Sequence, residues 1–320
     1  MIKKVITGQV VAAFLQKPLQ GQSLPILQPA DLSGCGPETV VWVKSFTEER
    51  FRWLEERRPA LTICDNETGH RTTVPHIISE NPRLDFIRTL IEFFTPTPEI
   101  GIHPMSLIDI GASIGKNVSI GAFARIGRLV SIGDDCHIGS GVVLEGEVAL
   151  GRRCVIKPNS VIGCQGFGFE YDEDGKPLHF PHLGKIVVED DVWIGACTTI
   201  ELGTLGATTL RKDCKIDDLV QVGHNVTVGA NTLIMANTVI CGCVIIGEHC
   251  WIAPNSVIKE KVQIGNRVII GLGAVVLKNV DDGLVMAGVP AKPITSKHEI
   301  RAHPSRQSEK EDVHVSNKKV

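Results

Sequence analysis

A mainly β chain, in which a parallel β-helix follows a small α/β domain, is the fold the sequence predicts, on three observations. The first is a six-residue repeat. Leu210, Ile216, Val222, Val228, Ile234, Ile240, Ile246, Ile252, Ile258, Ile264, Ile270 and Val276 fall six apart without a break, and an earlier block from Ile108 to Ile162 keeps the same step. A period of six matches neither a 3.6-residue helix nor simple alternation. Hexapeptide repeats of this kind read as short strands joined by tight corners, three hexads to a triangular coil, so that residues eighteen apart stack. The second observation is a small residue after the aliphatic one, as in Ile114-Gly115, Ile120-Gly121, Ile126-Gly127, Ile132-Gly133 and Ile138-Gly139. The third is composition. Hydrophobic residues make up 43% of the 320 but aromatics only 5%, with Tyr171 the one tyrosine. A narrow prism takes Ile, Val, Leu, Ala and Cys more readily than rings.

Three segments follow: residues 1–100 as the α/β domain, 101–292 as the coils, and 293–320 as a polar tail. The first hundred residues lack the hexad. Thr39–Phe46 reads as a strand after the turn Gly34-Cys35-Gly36-Pro37. Thr47–Pro59 reads as a helix, with Thr47 as its cap, Glu48 and Glu49 in the first turn, Arg57 and Arg58 near the end, and Pro59 closing it. Ala60–Asp65 and His76–Glu80 read as strands. Arg83–Phe94 has helical apolar spacing in Leu84, Ile87, Leu90, Ile91 and Phe94. The Pro-rich stretch Thr95–Pro104 links this domain to the coils. The hexads run from about Ile108 to Val276 and are interrupted twice, by 26 residues from Ile162 to Val188 and by ten from Ile200 to Leu210. Insertions in a repeat protein map to surface loops, often on the binding face. Gly288–Ile294 leaves the prism at two prolines, and the charged tail beyond has the composition of a disordered segment.

Composition excludes some function classes. A net charge of −3 gives no electrostatic case for nucleic acid. No apolar run approaches the ~20 residues needed to cross a bilayer, and the N-terminal run lacks a small-residue cleavage site, so the chain reads as cytoplasmic and soluble, without membrane insertion. The ten cysteines follow no C-x-x-C pairing. Cys136, Cys154, Cys214 and Cys250 each lie two before a hexad aliphatic and read as small buried residues of the coil. No convergent His spacing suggests zinc, so no metal is expected.

The histidines carry most of the chemical information. His224 lies two residues past Val222, on a flank rather than at an inward position. Gly242 is eighteen residues later, one coil above, at ~4.8 Å. A base with an unhindered backbone N–H one rung away suits acyl transfer: the base deprotonates an attacking amine and the N–H holds the oxyanion. Spacing alone leaves His224 equally readable as a surface histidine in a corner. His179 and His182, in the first interruption, read either as substrate contacts or as loop packing. His137 and His249 read as coil surface.

These residues together resemble a known family, the UDP-3-O-acylglucosamine N-acyltransferases of lipid A biosynthesis. The resemblance covers most of the chain and rests on GFGF with Pro-His-Leu-Gly downstream (Gly166–Phe169, Pro181–Gly184), IGACTTI (Ile194–Ile200), KIDDLVQVGHNV (Lys215–Val226) and NPRL (Asn81–Leu84). It implies a left-handed parallel β-helix assembled as a homotrimer, with a nucleotide-binding N-terminal domain and active sites between subunits. It also implies no permanently bound cofactor; the acyl donor is carried on phosphopantetheine. By resemblance His224 is the catalytic base, Asp217 a nearby active-site carboxylate and Gly242 the oxyanion glycine. Phe167, His179 and His182 are expected at the substrate, and Trp42 or Phe46 is expected to stack on a base.

The chain departs from the family at several points. Glu201-Leu202-Gly203 replaces Asp-Arg-Gly, and Lys261 replaces a second histidine, where it either meets a phosphate of the donor or lies in solvent. The uracil-contact pattern is replaced by Val41–Phe46, and the polar tail replaces the helices that engage acyl carrier protein. Ala287–Lys292 resembles the exit of acetyltransferases that use coenzyme A. The leading expectation is therefore N-acyl transfer from acyl carrier protein to the amine of a UDP-amino sugar. Beside it stand a coenzyme A-dependent transferase acting on another nucleotide amino sugar, and a silent scaffold. His224, Asp217 and Gly242 argue against the scaffold, since stacking alone requires none of them.

Overall fold

The computed structural model describes residues 5–96 and 99–294, and the chain divides into two compact units between residues 97 and 98. The first unit is a five-stranded sheet in the order Leu19–Gln20, His76–Ile78, Leu61–Cys64, Thr39–Val43, Gln28–Pro29, parallel except at its first pair. Alternation along Thr39–Val43 sends Val40 to one face and Val41 and Val43 to the other. Helices α1 (Gly8–Leu15) and α4 (Pro82–Phe93) cover the Val40 face through Val11, Ala12 and Phe86; α2 (Glu48–Arg57) covers the other through Leu54. A third short helix, α3 (Asn66–Arg71), starts at the Asp65 cap. The Thr47 cap of α2 accepts from the Arg50 N–H, and the Asn81 cap of α4 accepts from the Leu84 N–H.

Helix α4 forms as its spacing predicts but turns a different face inward. Asp85, Phe86 and Thr89 are buried, whereas Leu84 and Ile87 are each 40% exposed and Ile91 65%. The cause is polar. Asp85 accepts from Lys17 Nζ at 2.5 Å and from the Ser79 hydroxyl at 2.6 Å, and Thr89 donates to the Asp85 carbonyl. This network points Asp85 into the unit and turns Leu84, Ile87 and Ile91 outward, while Leu90 and Phe94 still pack against the core.

The second unit is a left-handed parallel β-helix of three sheets with nine, eleven and eight strands. Almost every strand is a dipeptide whose second residue is the repeating aliphatic, and register is eighteen residues from rung to rung, as in Val222 on Ile240 and Ile240 on Ile258. Each hexad has two inward positions. The aliphatic fills one; the residue two before it fills the other and is small, as Val220, Val226, Thr232, Thr238, Val244, Cys250 and Ser256 show. Cys136, Cys154, Cys214 and Cys250 occupy this second position and are buried. The thiols of Cys136, Cys154 and Cys250 donate to carbonyls of the next rung at 3.1, 3.2 and 3.0 Å. Burial pushes the Cys214 thiol up to about 12.

The corners turn on one residue per hexad, three before the aliphatic, held at positive φ: Asn225 at 58°, Asn237 at 59°, Cys243 at 61°, Asn255 at 59° and Lys261 at 62°. Asn tolerates this left-handed region better than most side chains, which accounts for its recurrence there. The prism carries a further parallel strand beyond each end of the hexad run, at Gly101–Ile102 and Val285–Ala287. The first interruption folds as a hairpin pairing Phe169–Tyr171 with Pro177–His179. Most of the predicted polar tail lies outside the described residues. No helix among the described residues is long and apolar enough to cross a membrane.

Candidate active site

The nine-stranded sheet positions the site. Its strands Val161–Cys164, Thr199–Glu201, Gln221–Val222, Val239–Ile240 and Val257–Ile258 are consecutive rungs, and the chain leaves all five through one corner. Both interruptions of the repeat leave through that corner, as do His224 and Gly242. Residues far apart in sequence therefore crowd a single column.

His224 stands half-buried in that column. Its backbone N–H donates to Glu201 Oε2 at 3.1 Å, and Glu201 Oε1 accepts from Gln221 Nε2 at 3.1 Å. Its Nδ1 lies 3.0 Å from Asn225 Oδ1. The same oxygen receives the Thr204 backbone N–H at 3.0 Å and the Thr204 hydroxyl at 2.9 Å. A backbone N–H only donates, so the Asn225 atom it meets is the carboxamide oxygen. An oxygen that only accepts requires the hydrogen on His224 Nδ1. The lone pair of the neutral ring is thereby left on Nε2, the configuration of a general base.

Gly242 abuts that base. A Cβ at Gly242 would collide with Nε2, and would stand 2.6 Å from Cε1 and 2.9 Å from Cδ2 of His224. Only glycine admits the ring there. The Gly242 N–H meets no acceptor among the described residues, whereas the Cys243 N–H on the next residue donates to the His224 carbonyl. An imidazole nitrogen and an uncommitted backbone N–H thus lie side by side.

The first interruption closes over the base. His182 is 1% exposed and meets His224 edge-on at 5.2 Å between ring centroids. His179 stacks on His182 at 5.9 Å, Phe169 tilts on His179 at 5.1 Å, and Phe167 on Phe169 at 4.9 Å. Gln165 clasps the His182 backbone from both sides, accepting its N–H at 2.7 Å and donating to its carbonyl at 3.0 Å. His182 Nδ1 bonds the Phe180 carbonyl at 2.9 Å, which leaves its buried Nε2 without a partner. Gly166 is obligatory here, since a Cβ would lie 2.6 Å from both His182 Nε2 and Glu201 Oε2.

The remaining candidates lie elsewhere. Asp217 is exposed at the opposite edge of the same rung, after Lys215–Ile216, and its Oδ1 accepts the Asp218 N–H at 2.8 Å; within one chain it does not meet His224. Beside it the Ala196 N–H and then Lys157 hold the Asp218 carboxyl below its ordinary range. Lys261 stands two rungs above Asn225 in the corner column, exposed, with its N–H on the Gly242 carbonyl at 3.0 Å. In the first unit, Trp42 lines a cleft of about 410 Å³ with Leu32, Lys44 and Arg50. Phe46 has one face covered by Arg71 at 4.2 Å and packs on Phe51 at 5.6 Å.

Thr204, Asn225 and Gln165 carry no assignment from the sequence, and Glu201 stood out only as a departure from the family pattern. Asn225 carried a signal, since it occupies the left-handed corner directly after His224. Glu201 and Thr204 lie in the ten-residue break, whose path the repeat does not dictate.

Fold and site together define a hexapeptide-repeat acyltransferase. The family described as bacterial transferase hexapeptide (six repeats) matches residues 129–164, 207–242 and 243–278, and the hexapeptide repeat of succinyl-transferase matches 111–146. A UDP-3-O-acylglucosamine N-acyltransferase of Coxiella burnetii (strain RSA 493 / Nine Mile phase I) is 33% identical over 264 residues, covering 76% of this chain and 77% of the relative; the enzyme of strain CbuG_Q212 gives the same values. The chain belongs to the UDP-3-O-acylglucosamine N-acyltransferase family. Among solved structures, a UDP-N-acetylglucosamine acyltransferase from Campylobacter jejuni superposes with a TM-score of 0.56 at 20% identity, covering 61% of this chain and 74% of that one. LpxA from Acinetobacter baumannii gives 0.55 at 24%, covering 60% and 73%. These two share the fold.

Proposed function

We propose that the protein transfers an acyl group from a phosphopantetheine thioester to the amine of a UDP-amino sugar, the N-acylation step of lipid A biosynthesis. The observation that carries this reading is His224 Nε2, its lone pair fixed by Asn225, lying against a glycine whose N–H is uncommitted. The amine nitrogen attacks the thioester carbonyl and gives its proton to Nε2. The oxygen that becomes negative takes the Gly242 N–H. Collapse of the tetrahedral intermediate forms the amide and expels the thiolate, which takes the proton back from the imidazolium. No bound metal or permanent cofactor enters this sequence.

Acyl carrier protein is the donor in this proposal, as the family membership supports, with Lys261 beside its phosphate. Phe167, His179 and His182 line the approach to the base. Trp42 and Phe46 belong to a first unit whose role is nucleotide binding; the Trp42 cleft with Lys44 and Arg50 supports this, and of the two rings Phe46 already has one face occupied. The working assembly is a homotrimer, in which the Asp217 corner of one subunit approaches the His224 corner of the next. That Asp217 and His224 lie at opposite edges of one rung supports this arrangement.

The test is mass-spectrometric. Purified protein is offered a 3-O-acylated UDP-glucosamine with acyl carrier protein thioesters or coenzyme A thioesters, beside His224→Ala. Formation of the N-acyl product, lowered about 10²–10⁴-fold in His224→Ala, is the expected result. Product with neither donor, or His224→Ala turning over as wild type, refutes the reading. Product from coenzyme A thioesters alone replaces the proposed donor.

A further inference from the structure

We infer that Thr204, inside the second break of the repeat, is a positioning residue that selects the reactive tautomer of His224 by fixing the orientation of the Asn225 carboxamide. The catalytic meaning of this inference rests on His224 being the base of the proposed reaction; the tautomer itself does not.

Thr204 directs two donors at one atom. Its backbone N–H at 3.0 Å and its hydroxyl at 2.9 Å both reach Asn225 Oδ1. A carboxamide is nearly symmetric in shape and turns over at little steric cost. If it turned over, its NH₂ would face His224 Nδ1, which would then have to accept, and the ring hydrogen would move to Nε2. An Nε2–H ring has no lone pair for the attacking amine. The Thr204 backbone N–H opposes that flip, because it would then face an NH₂ group that cannot accept; the hydroxyl, which can turn to accept instead, holds the carboxamide in place without choosing its orientation. The His224 backbone is held separately by Glu201, so Thr204 acts on ring chemistry rather than on chain path.

Thr204 is also tied to the segment that closes the site. Its carbonyl accepts from the Leu183 N–H at 2.7 Å and the Gly184 N–H at 3.0 Å. Those residues directly follow His182, whose ring meets His224 edge-on. One residue in the shorter insertion therefore couples the longer insertion to the tautomer of the base. The six-residue repeat has no use for Thr204, which lies off the hexad register and contributes nothing to the prism interior.

The experiment reads the ring directly and needs no substrate. The full chain, labelled with ¹⁵N in both histidine ring nitrogens, is examined by magic-angle-spinning spectroscopy at about pH 8, where an ordinary imidazole is neutral. His224→Gln identifies the His224 signals. Wild type is expected to show His224 as Nδ1–H. Thr204→Pro, which removes the backbone N–H and the hydroxyl together, shifts a large share to Nε2–H; Thr204→Val, which keeps the N–H, keeps the wild-type pattern. Asn225→Gly removes the carboxamide without backbone strain, because glycine accepts the left-handed corner, and shifts the ring further; Asn225→Asp keeps Nδ1–H. In acyl transfer, kcat falls roughly tenfold in Thr204→Pro and about 10²-fold in Asn225→Gly, with both KM values unchanged. A ring that remains wholly Nδ1–H in Thr204→Pro overturns the inference, and if that variant does not fold, retention of Nδ1–H in Asn225→Gly does so. Tautomer switching in a protein whose wild type transfers no acyl group sinks the proposed function and leaves the role of Thr204 standing.

Discussion

Gly242→Ala is the sharpest single test of the site geometry. The added Cβ would collide with His224 Nε2 and stand 2.6 Å from Cε1 and 2.9 Å from Cδ2, against ordinary contacts of 3.4–4 Å. The obstacle is the end of a side chain, so the ring withdraws and the coil stays. A withdrawal of about 1 Å is the scale of misplacement that costs about 10²-fold in rate. By the tenfold rule that is about 2.7 kcal/mol of transition-state stabilisation. The stability cost is small, because Gly242 has no positive φ to lose and lies outside the packed interior. A melting shift below about 3 °C is expected, within what ~1 kcal/mol produces in a chain of this size. The assay pairs single-turnover acyl transfer with thermal melts on the same preparations. A loss of 10²-fold or more at an unchanged melting temperature is the expected outcome. A Gly242→Ala protein with kcat within threefold of wild type would show that the ring does not rest against this glycine during turnover.

Lys261→Ala is expected to raise the KM for the thioester donor several-fold and to leave the sugar nucleotide KM alone; equal donor kinetics would leave Lys261 a solvent-facing charge. Light scattering should give three times the 34.7 kDa chain mass at micromolar concentration, and a monomer would remove the shared-site arrangement of Asp217 and His224. Ile138→Ala, at a wholly buried inward position, should destabilise the coil by about 2–5 kcal/mol in denaturant titrations while kcat of the folded fraction holds. Asp85 gives a pH prediction. Burial pushes its carboxyl up, but the Lys17 and Ser79 hydrogen bonds and the Lys17 charge outweigh this and hold it below its ordinary value. A depressed folded value means stabilisation that is complete above the unfolded value, ~3.9, and lost as pH falls through the folded one. Wild type should therefore lose stability below about pH 4 more steeply than Asp85→Asn, and parallel melting curves would refute the assignment.

The sequence made the prism legible because both of its inward positions recur every six residues, one aliphatic and one small. The second position also accounts for Cys136, Cys154, Cys214 and Cys250. His224 and Gly242 were legible for the same reason, since stacking at eighteen residues is a property of the repeat. Helix α4 shows where pattern failed. Leu84, Ile87 and Ile91 make a respectable amphipathic stripe, yet burying Asp85 against Lys17 and Ser79 rotates that stripe outward. A long-range polar network of this kind leaves no periodic trace. Helix α3 was missed for a related reason: it is short and polar, with Gly69 inside it, and only its Asp65 cap marks its start. The contacts of Glu201 and Thr204 were beyond reach because an insertion has no register from which to infer neighbours.

Why the chemistry gathers at the breaks follows from what a strict hexad provides. Its inward positions hold aliphatic or small side chains, and its outward side chains stand singly on a solvated flank, so an uninterrupted coil leaves a flank histidine with water for a partner. Surrounding it needs backbone that leaves the prism. Here residues 163–184 and 201–206 depart through the same corner on adjacent rungs, immediately below His224, and the Gly184 N–H donates to both the Gly203 and Thr204 carbonyls. The longer break brings the His182 ring and the shorter brings Glu201 and Thr204; the coil itself supplies only His224, Asn225 and Gly242. Stability and orientation are therefore carried by different residues. The prism draws on stacked, buried aliphatics, while the His224 column is held by hydrogen bonds that involve segments contributing little to the core. Substitutions inside the prism should then alter melting with little change in kcat, and substitutions in the two breaks should alter kcat with little change in melting.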